Sequence, residues 1–407
     1  MNPFLPQTEY IPDTEARVWA DGRLYIYGSR DIGGVEDYCS SEYKVFSTDD
    51  LIRWQDHGIS FRGAQADFCP SDTLFAPDCV YRNGRYYLFY CLPGEGGREG
   101  VAVSDHPAGP FENLGPVKGA DGYGIDPAVL VDHDGQAYLY WGQAALRVAK
   151  LSDDMCAILP ETLQVGILSE QAHGFHEGAS IRRIGDKYYL LYCDGARDRA
   201  TCLSYAIADS PYGPFQRMGV LIDNTNCDPL SWNIHGSLCA FKGQWYVFYH
   251  RSSANSRYNR RCCIEPITLH SDGRIDEVKP STQGAGAPIA ATTCLGAWRA
   301  CALYGRIFTK VEDAVEYLQS EGEGNIATFR DLLFSGESKV SVCLRGHGRF
   351  AINLGSPGVA VACIEVASEA EWTTVSVPIE MPPQGVQSMQ FYTFAGRLQI
   401  QSIQFEA

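Results

Sequence analysis

Basic residues are scarce in this chain. It has 33 Lys and Arg against 49 Asp and Glu, a net charge of −16. Nucleic acids and anionic membranes call for a basic excess to neutralise phosphates, so neither is expected as a partner. No run of 18 apolar residues occurs, so no spanning helix is expected. The opening MNPFLPQTEY has no basic n-region, no apolar h-region and no small-residue cleavage site, and predicts no secretory leader. The 15 Cys include no CxxC pair, and their odd number and scatter do not suit a disulfide framework. Reduced thiols and a cytoplasmic location are the expectation.

What is present points to a folded β-protein. Apolar residues make up 45% and charged residues 20%, ordinary values for a globular chain. Aromatics at 12% and 41 Gly lean towards strands joined by tight turns. At 407 residues the chain exceeds the roughly 250–300 that one core sustains, so two domains are expected.

The strongest signal is an internal repeat. ARVWADGRLYIYG (16–28), DCVYRNGRYYLFY (78–90), AVLVDHDGQAYLYWG (128–142), ASIRRIGDKYYLLY (179–192) and SLCAFKGQWYVFYH (237–250) each read as strand, Gly turn, aromatic strand. The turn glycines are Gly22, Gly84, Gly135, Gly185 and Gly243, spaced 62, 51, 50 and 58 apart. A hairpin repeated about every 50 residues marks a propeller blade, and five copies predict a five-bladed β-propeller. A further strand follows each hairpin, as in YKVFSTDDLIRW (43–54) and LSYAIADSPYGPF (203–215), with a fourth strand less visible.

Innermost propeller strands start at one mouth, so equal offsets before the turn glycine converge. Counting back gives Asp13 (22 − 9), Asp126 (135 − 9), Glu177 (185 − 8) and His235 (243 − 8), with Phe75 (84 − 9) in the second blade. Alone, an Asp before Pro is a turn former and a Glu before Gly a solvated side chain. Together, carboxylates crowded on one axis repel and are costly to desolvate, which points to a metal or to chemistry. Three carboxylates are too few for a calcium cage. Paired acids across a pocket suit glycoside hydrolysis.

The motifs NPFLPQTEYIPDTEARVW, FAPDCVYRNGRYYLFY, GIDPAVLVDHDGQAYLYWG, FHEGASIRRIGDKYYLLY and NIHGSLCAFKGQWYVFYHR resemble glycoside hydrolase family 43, over roughly residues 2–278. The resemblance implies an inverting exo-glycosidase that releases terminal α-L-arabinofuranose from arabinoxylan- or arabinan-derived oligosaccharides. The alternative is a β-D-xylosidase, and from another class a non-catalytic sugar-binding propeller. It implies Asp13 as general base, Glu177 as general acid, and Asp126 as the group that sets the acid's pKa and orientation. It also implies that Arg260 reaches the acid or the sugar, with Arg261 as the alternative. His235 is either a residue near a calcium or sodium ion at the axis or a hydrogen-bonded core His. Phe75 and Trp232 are either stacking surfaces for a sugar ring or core aromatics. No cofactor is expected for the chemistry, and the oligomeric state stays open. Arg17 stands where related members often have His. Strand alternation puts Asp13, Glu15 and Arg17 on one side, making Glu15 a rival base or the ion-pair partner of Arg17.

The propeller is expected over residues 1–285 and a linker over 286–299, within VKPSTQGAGAP and beyond. Residues 300–407 read as short strands of a β-sandwich resembling a family 6 carbohydrate-binding module of the jelly-roll type, with EWTTVSVPI and LQIQSIQF as the matching strands. Trp372 is expected to plug that sandwich's core.

Overall fold

A computed structural model describes residues 1–69, 71–94, 98–120, 125–355 and 358–407, so Gly124, at the head of the third motif, lies outside the described residues. Each predicted hairpin forms the inner half of a sheet. The first four blades are antiparallel four-stranded sheets in sequence order, and the fifth is a three-stranded sheet. The innermost strands are Glu15–Val18, Phe75–Arg82, Ala128–Val131, Phe175–Ile184 and Gly236–Phe241. Each packs beside the next, and the fifth returns to the first, which closes the ring. The turn glycines all have positive φ, and at Asn83–Gly84 and Lys242–Gly243 both residues do, as a type I′ hairpin turn requires.

Alternation along these strands gives each sheet two apolar faces, so the propeller has a series of cores between blades. The first and second blades share Tyr27, Phe61, Leu88 and Tyr90, and the fifth and first share Ile26, Phe46, Phe248 and Ile264. The chain's start seals this last seam. Asn2 donates from Nδ2 to the Ile264 carbonyl (3.1 Å) and accepts from its N–H (3.0 Å), and the Phe4 N–H donates to the Cys262 carbonyl.

Two half-buried guanidiniums link all five blades at the axis. Arg17 in the first blade donates from Nη2 to both Asp78 oxygens in the second (2.7 Å each) and to the Val129 carbonyl in the third (3.3 Å). Arg182 in the fourth reaches Glu15 in the first (2.6 Å) and the Leu238 carbonyl in the fifth (2.9 Å). Glu15 lies 3.8 Å from Arg17, so the expected Glu15–Arg17 pair is the longer of its two contacts. Glu15 is committed to this network, which argues against it as a rival base.

The C-terminal strands fold around one separate apolar core that includes Leu318, Phe329, Phe350, Phe391 and Phe405. Three long strands dominate it, Lys339–Leu354, Val359–Pro378 and Gln384–Glu406. The fold is therefore all-β, a five-bladed propeller followed by a β-sandwich. The stretch read as a linker is part of the sandwich. Ile289–Ala290 pairs with Asn325–Ser335, and Leu295–Gly296 with Gln384–Glu406. Gly, Ala and Pro there gave no strand pattern, and the pairing partners supply it. Trp372 is also not a core plug. It is half-buried, with its ring against Tyr317 (5.5 Å) and under Arg345 (4.7 Å).

Removing one member of a buried ion pair strands the other charge, at about 3–5 kcal/mol. Arg17→Ala should lose that much in urea unfolding, because Asp78 is fully buried. The Arg17→Met/Asp78→Leu double variant should recover most of it. A single variant within about 1 kcal/mol of wild type would show that the axis does not depend on this pair.

Candidate active site

Asp13, Asp126, Glu177, His235, Phe75, Trp232 and Arg260 all line one pocket of about 260 Å³ at the propeller mouth. The repeat register brings the acids there from three blades. Asp13 and Asp126 occupy the turns that feed their innermost strands, and both are left-handed, with φ of 56° and 55°. Asp adopts this region more readily than most residues. Glu177 lies near the start of its strand and is followed by Gly178 at φ 71°. A Cβ on Gly178 would sit 3.2 Å from His235 Cγ, so the glycine lets that strand lie against the imidazole.

Asp13 is buried among Ser29, Arg260 and two histidines. Its Oδ2 accepts from Ser29 Oγ (2.7 Å), and its Oδ1 from Arg260 Nη1 (3.2 Å). His250 Nδ1 lies 3.2 Å from Oδ1, and His235 Nδ1 4.0 Å. Burial pushes the Asp13 carboxyl up, but the Arg260 guanidinium outweighs it and holds it far below the usual carboxylate range. Arg260 is itself fixed by Asp31, with Nε to Oδ2 (3.0 Å) and Nη2 to Oδ1 (2.9 Å). This two-point fork aims the remaining nitrogen at Asp13.

Arg261, one residue on, faces the other way. It pairs with Glu316 of the sandwich (2.8 Å) and lies over the Tyr10 ring. Strand alternation therefore gives Arg260 to the pocket and Arg261 to the domain interface.

Asp126 has the opposite environment. Its Oδ2 accepts from the Gly178 N–H (3.0 Å), and no ion pair reaches it among the described residues. Burial, then the Glu177 and Asp13 carboxylates, push Asp126 well above the usual range. Glu177 accepts from Gln143 Nε2 (2.8 Å) at Oε2 and from Asn233 Nδ2 (3.5 Å) at Oε1. One side of the pocket thus holds a carboxylate kept ionised, and the other a carboxyl, Asp126, pushed up beside Glu177.

Trp232 is 53% exposed, with Arg257 over its ring at 5.3 Å, so it forms rim and not core. Phe75 is half-buried, and its carbonyl accepts from Tyr43 OH. Tyr38, Gln143, Asn233 and His250 were not anticipated from the sequence.

The carboxylates at the axis do not make a calcium cage. Glu15 and Asp78 are matched by Arg17 and Arg182, two cations for two carboxylates, while calcium takes about six to eight oxygen ligands. His235 Nε2 is buried without a hydrogen-bond partner, yet no group of three or more His, Cys, Asp or Glu among the described residues is set to hold a metal. The reading of His235 as a metal residue finds no further ligands here. Its ring instead packs under Gly178 and faces Asp13.

Arg260→Met removes the cation that faces both Asp13 and Asp31. Asp13, held far down in the folded wild type, would then be raised by burial, so the loss of stability should be largest where the carboxylates are ionised. Urea unfolding should show a deficit of about 3–5 kcal/mol at pH 7 that shrinks towards pH 4. A deficit independent of pH would mean that Arg260 acts by packing alone.

Comparison with known proteins agrees with this geometry. The model of the family described as "Glycosyl hydrolases family 43" matches residues 1–275. A "Xylosidase/arabinosidase" of Thermoclostridium stercorarium is 30% identical, over 97% of this chain and 96% of its own length. A protein of the same name from Bacteroides ovatus is 31% identical, over 67% of this chain and 96% of its own. Among solved structures, CoXyl43, a GH43 beta-xylosidase/alpha-arabinofuranosidase from a compost microbial metagenome, was determined with xylotriose in a calcium-free form. It is 30% identical and covers 69% of this chain and 97% of its own, with a TM-score of 0.60. An arabinoxylan arabinofuranohydrolase from Bacillus subtilis, at 22% identity, shares the fold over 100% of this chain and 97% of its own, with a TM-score of 0.59. The chain belongs to glycosyl hydrolase family 43 and is a glycosidase.

Proposed function

We propose that the chain is an inverting exo-glycosidase releasing terminal α-L-arabinofuranose from arabinoxylan- or arabinan-derived oligosaccharides. One observation carries the reading: a small pocket with a carboxylate held ionised on one side and, on the other, Glu177 beside Asp126, whose carboxyl is pushed well above the usual range. At about 260 Å³ the pocket falls below the roughly 300–1,000 Å³ typical of drug-sized ligands, which favours one terminal ring over a threaded chain. The relatives named for both activities favour a second reading, a β-D-xylosidase using the same pocket.

In this mechanism Asp13 takes a proton from water on the face opposite the leaving group. Glu177 gives its proton to the departing oxygen. Asp126, beside it, keeps that proton in the pair, and Trp232 and Phe75 bound the sugar. An inverting pair stands about 6.5–9.5 Å apart to admit the water. The fifteen free cysteines support a reducing, cytoplasmic setting.

Nitrophenyl arabinofuranoside and nitrophenyl xyloside separate the two readings, and no hydrolysis of either would leave a sugar-binding protein. Proton NMR of the first-formed sugar should show the inverted anomer; a retained one overturns the mechanism.

Glu177→Gln should lose roughly 10²–10⁴-fold on substrates with poor leaving groups and far less on an activated aryl glycoside, which departs without a proton. Asp13→Asn should be crippled on both. Asp126→Asn removes the charge that helps the pair hold its proton, so the alkaline limb of kcat/KM should move to lower pH. Equal impairment of Glu177→Gln on good and poor leaving groups would move the acid to another carboxylate, Asp126 first.

A further inference from the structure

His250, in the second half of strand Gln244–Ser253, is fully buried, does not line the pocket, and is in contact with the base. Its two ring nitrogens face different partners. Nε2 faces only oxygens, the Asn233 carbonyl at 3.2 Å and Asn233 Oδ1 at 3.3 Å. A nitrogen between two acceptors must carry the hydrogen. Nδ1 faces the Asp13 N–H at 3.3 Å, which makes it the bare acceptor, and Asp13 Oδ1 at 3.2 Å. The seat is rigid, because Asn224 donates from one buried Nδ2 to the carbonyls of both Asn233 (3.0 Å) and His250 (2.8 Å).

We propose that His250 is a positioning residue that forms a buried dyad with Asp13 and accepts on Nδ1 the proton that Asp13 draws from the attacking water. The inference rests on Asp13 being the base. The water oxygen bonds to the anomeric carbon as that carbon's bond to the leaving oxygen breaks. The water proton passes to Asp13 Oδ1 and on to His250 Nδ1, and the leaving oxygen takes the proton of Glu177. Total charge in the dyad is the same whichever member holds the proton.

The need for such a partner follows from how strongly Asp13 is stabilised as an anion. A carboxylate under Arg260 is a weak proton acceptor by itself, and general-base catalysis falls as the acceptor's proton affinity falls. An imidazole 3.2 Å away offers a more basic terminus. The same Asn233 whose oxygens hold Nε2–H also reaches Glu177 with its Nδ2, so one residue orients both halves of the reaction.

The arrangement makes the acid limb of activity a property of His250. Burial lowers its proton affinity more than the neighbouring Asp13 carboxylate raises it. The charged or titratable groups facing it are Asp13 from the first blade, Arg260 from the neighbouring strand and His235 from the turn before Gly236–Phe241. Once His250 is protonated from solvent, Nδ1 is no longer an acceptor and activity falls.

His250→Gln tests this, since an amide cannot take the proton. Expected are a kcat lower by roughly 10²-fold on activated and unactivated substrates alike, with KM nearly unchanged, and an acid limb moved to lower pH. Unchanged kcat, or a lower kcat with the acid limb unmoved, overturns the dyad. Should the variant fail to fold, nitrogen NMR of ¹⁵N-histidine-labelled wild type decides. His250 should carry its proton on Nε2 at neutral pH and gain a second on Nδ1 in step with the acid limb. A proton on Nδ1 at neutral pH, or no titration with that limb, overturns it. Failure of the dyad is distinguishable from failure of the glycosidase mechanism. If Asp13→Asn is inactive and His250→Gln fully active, only the dyad falls; if Asp13→Asn is active, the base assignment falls with it.

Discussion

Five strand starts meeting at one axis bring carboxylates together where water is scarce, and the rest of the site follows from how that charge is compensated. Below the pocket the answer is ion pairing: Arg17 and Arg182 meet Asp78 and Glu15, and each guanidinium crosses blade boundaries. In the pocket the compensation is uneven. Arg260 is spent on Asp13 and Asp31, and no ion pair reaches Asp126 among the described residues. The same burial therefore has opposite outcomes, an anion kept at Asp13 and a proton kept beside Glu177. A symmetrical scaffold acquires a direction from one arginine.

The repeat made much of this legible before any coordinates. Turn glycines fixed the blade number, and offsets before them collected Asp13, Asp126, Glu177, His235 and Phe75 at one mouth. The same count run forward, which the sequence reading did not make, would have found more at three of the five turns. Seven residues after the turn glycines stand Ser29 (22 + 7), Cys91 (84 + 7) and His250 (243 + 7). Ser29 and His250 contact the Asp13 carboxylate, and Cys91 Sγ accepts from the Asp126 N–H at 3.4 Å. Second strands return to the mouth that first strands leave, so their last residues line the back of the site. Tyr38 and Asn233 had no such signal, because they belong to loops whose lengths the repeat does not constrain. Axial pairing was beyond sequence for another reason. Glu15 has two arginines in reach, and only the geometry of three blades decides that Arg182 is the nearer.

The sandwich was legible as a fold and misjudged at its edge. Short strands such as Ile289–Ala290 carry too little pattern to be seen alone, and exist because a long partner supplies the hydrogen bonds. Its seat on the propeller is equally specific. Arg261 pairs with Glu316, Arg251 donates to the Ala300 carbonyl at 2.9 Å, and Arg299 donates to the Pro3 carbonyl at 2.9 Å. All three anchor on the fifth blade or the chain start that closes it, where the ring is joined. Docking there puts the second domain's burial behind the strand that carries Arg260.

Backbone strain shows how firmly the pocket is held. Left-handed residues other than glycine cost roughly 1–3 kcal/mol each, though Asp tolerates the region better than a branched side chain. Both Asp13 and Asp126 are in it, each at the step before an innermost strand. At Asp13 the neighbouring chain is packed hard against the turn: a Cβ on Gly28 would meet the Pro12 carbonyl oxygen at 2.4 Å, so only glycine fits. Four partners then converge on the carboxylate from Ser29, His250, His235 and Arg260. Such a conformation persists only when its surroundings over-determine it, and here they come from the first and fifth blades at the ring's closing seam. Propeller closure and the orientation of Asp13 are therefore one constraint, which ties the folding of the whole ring to the placement of a single oxygen.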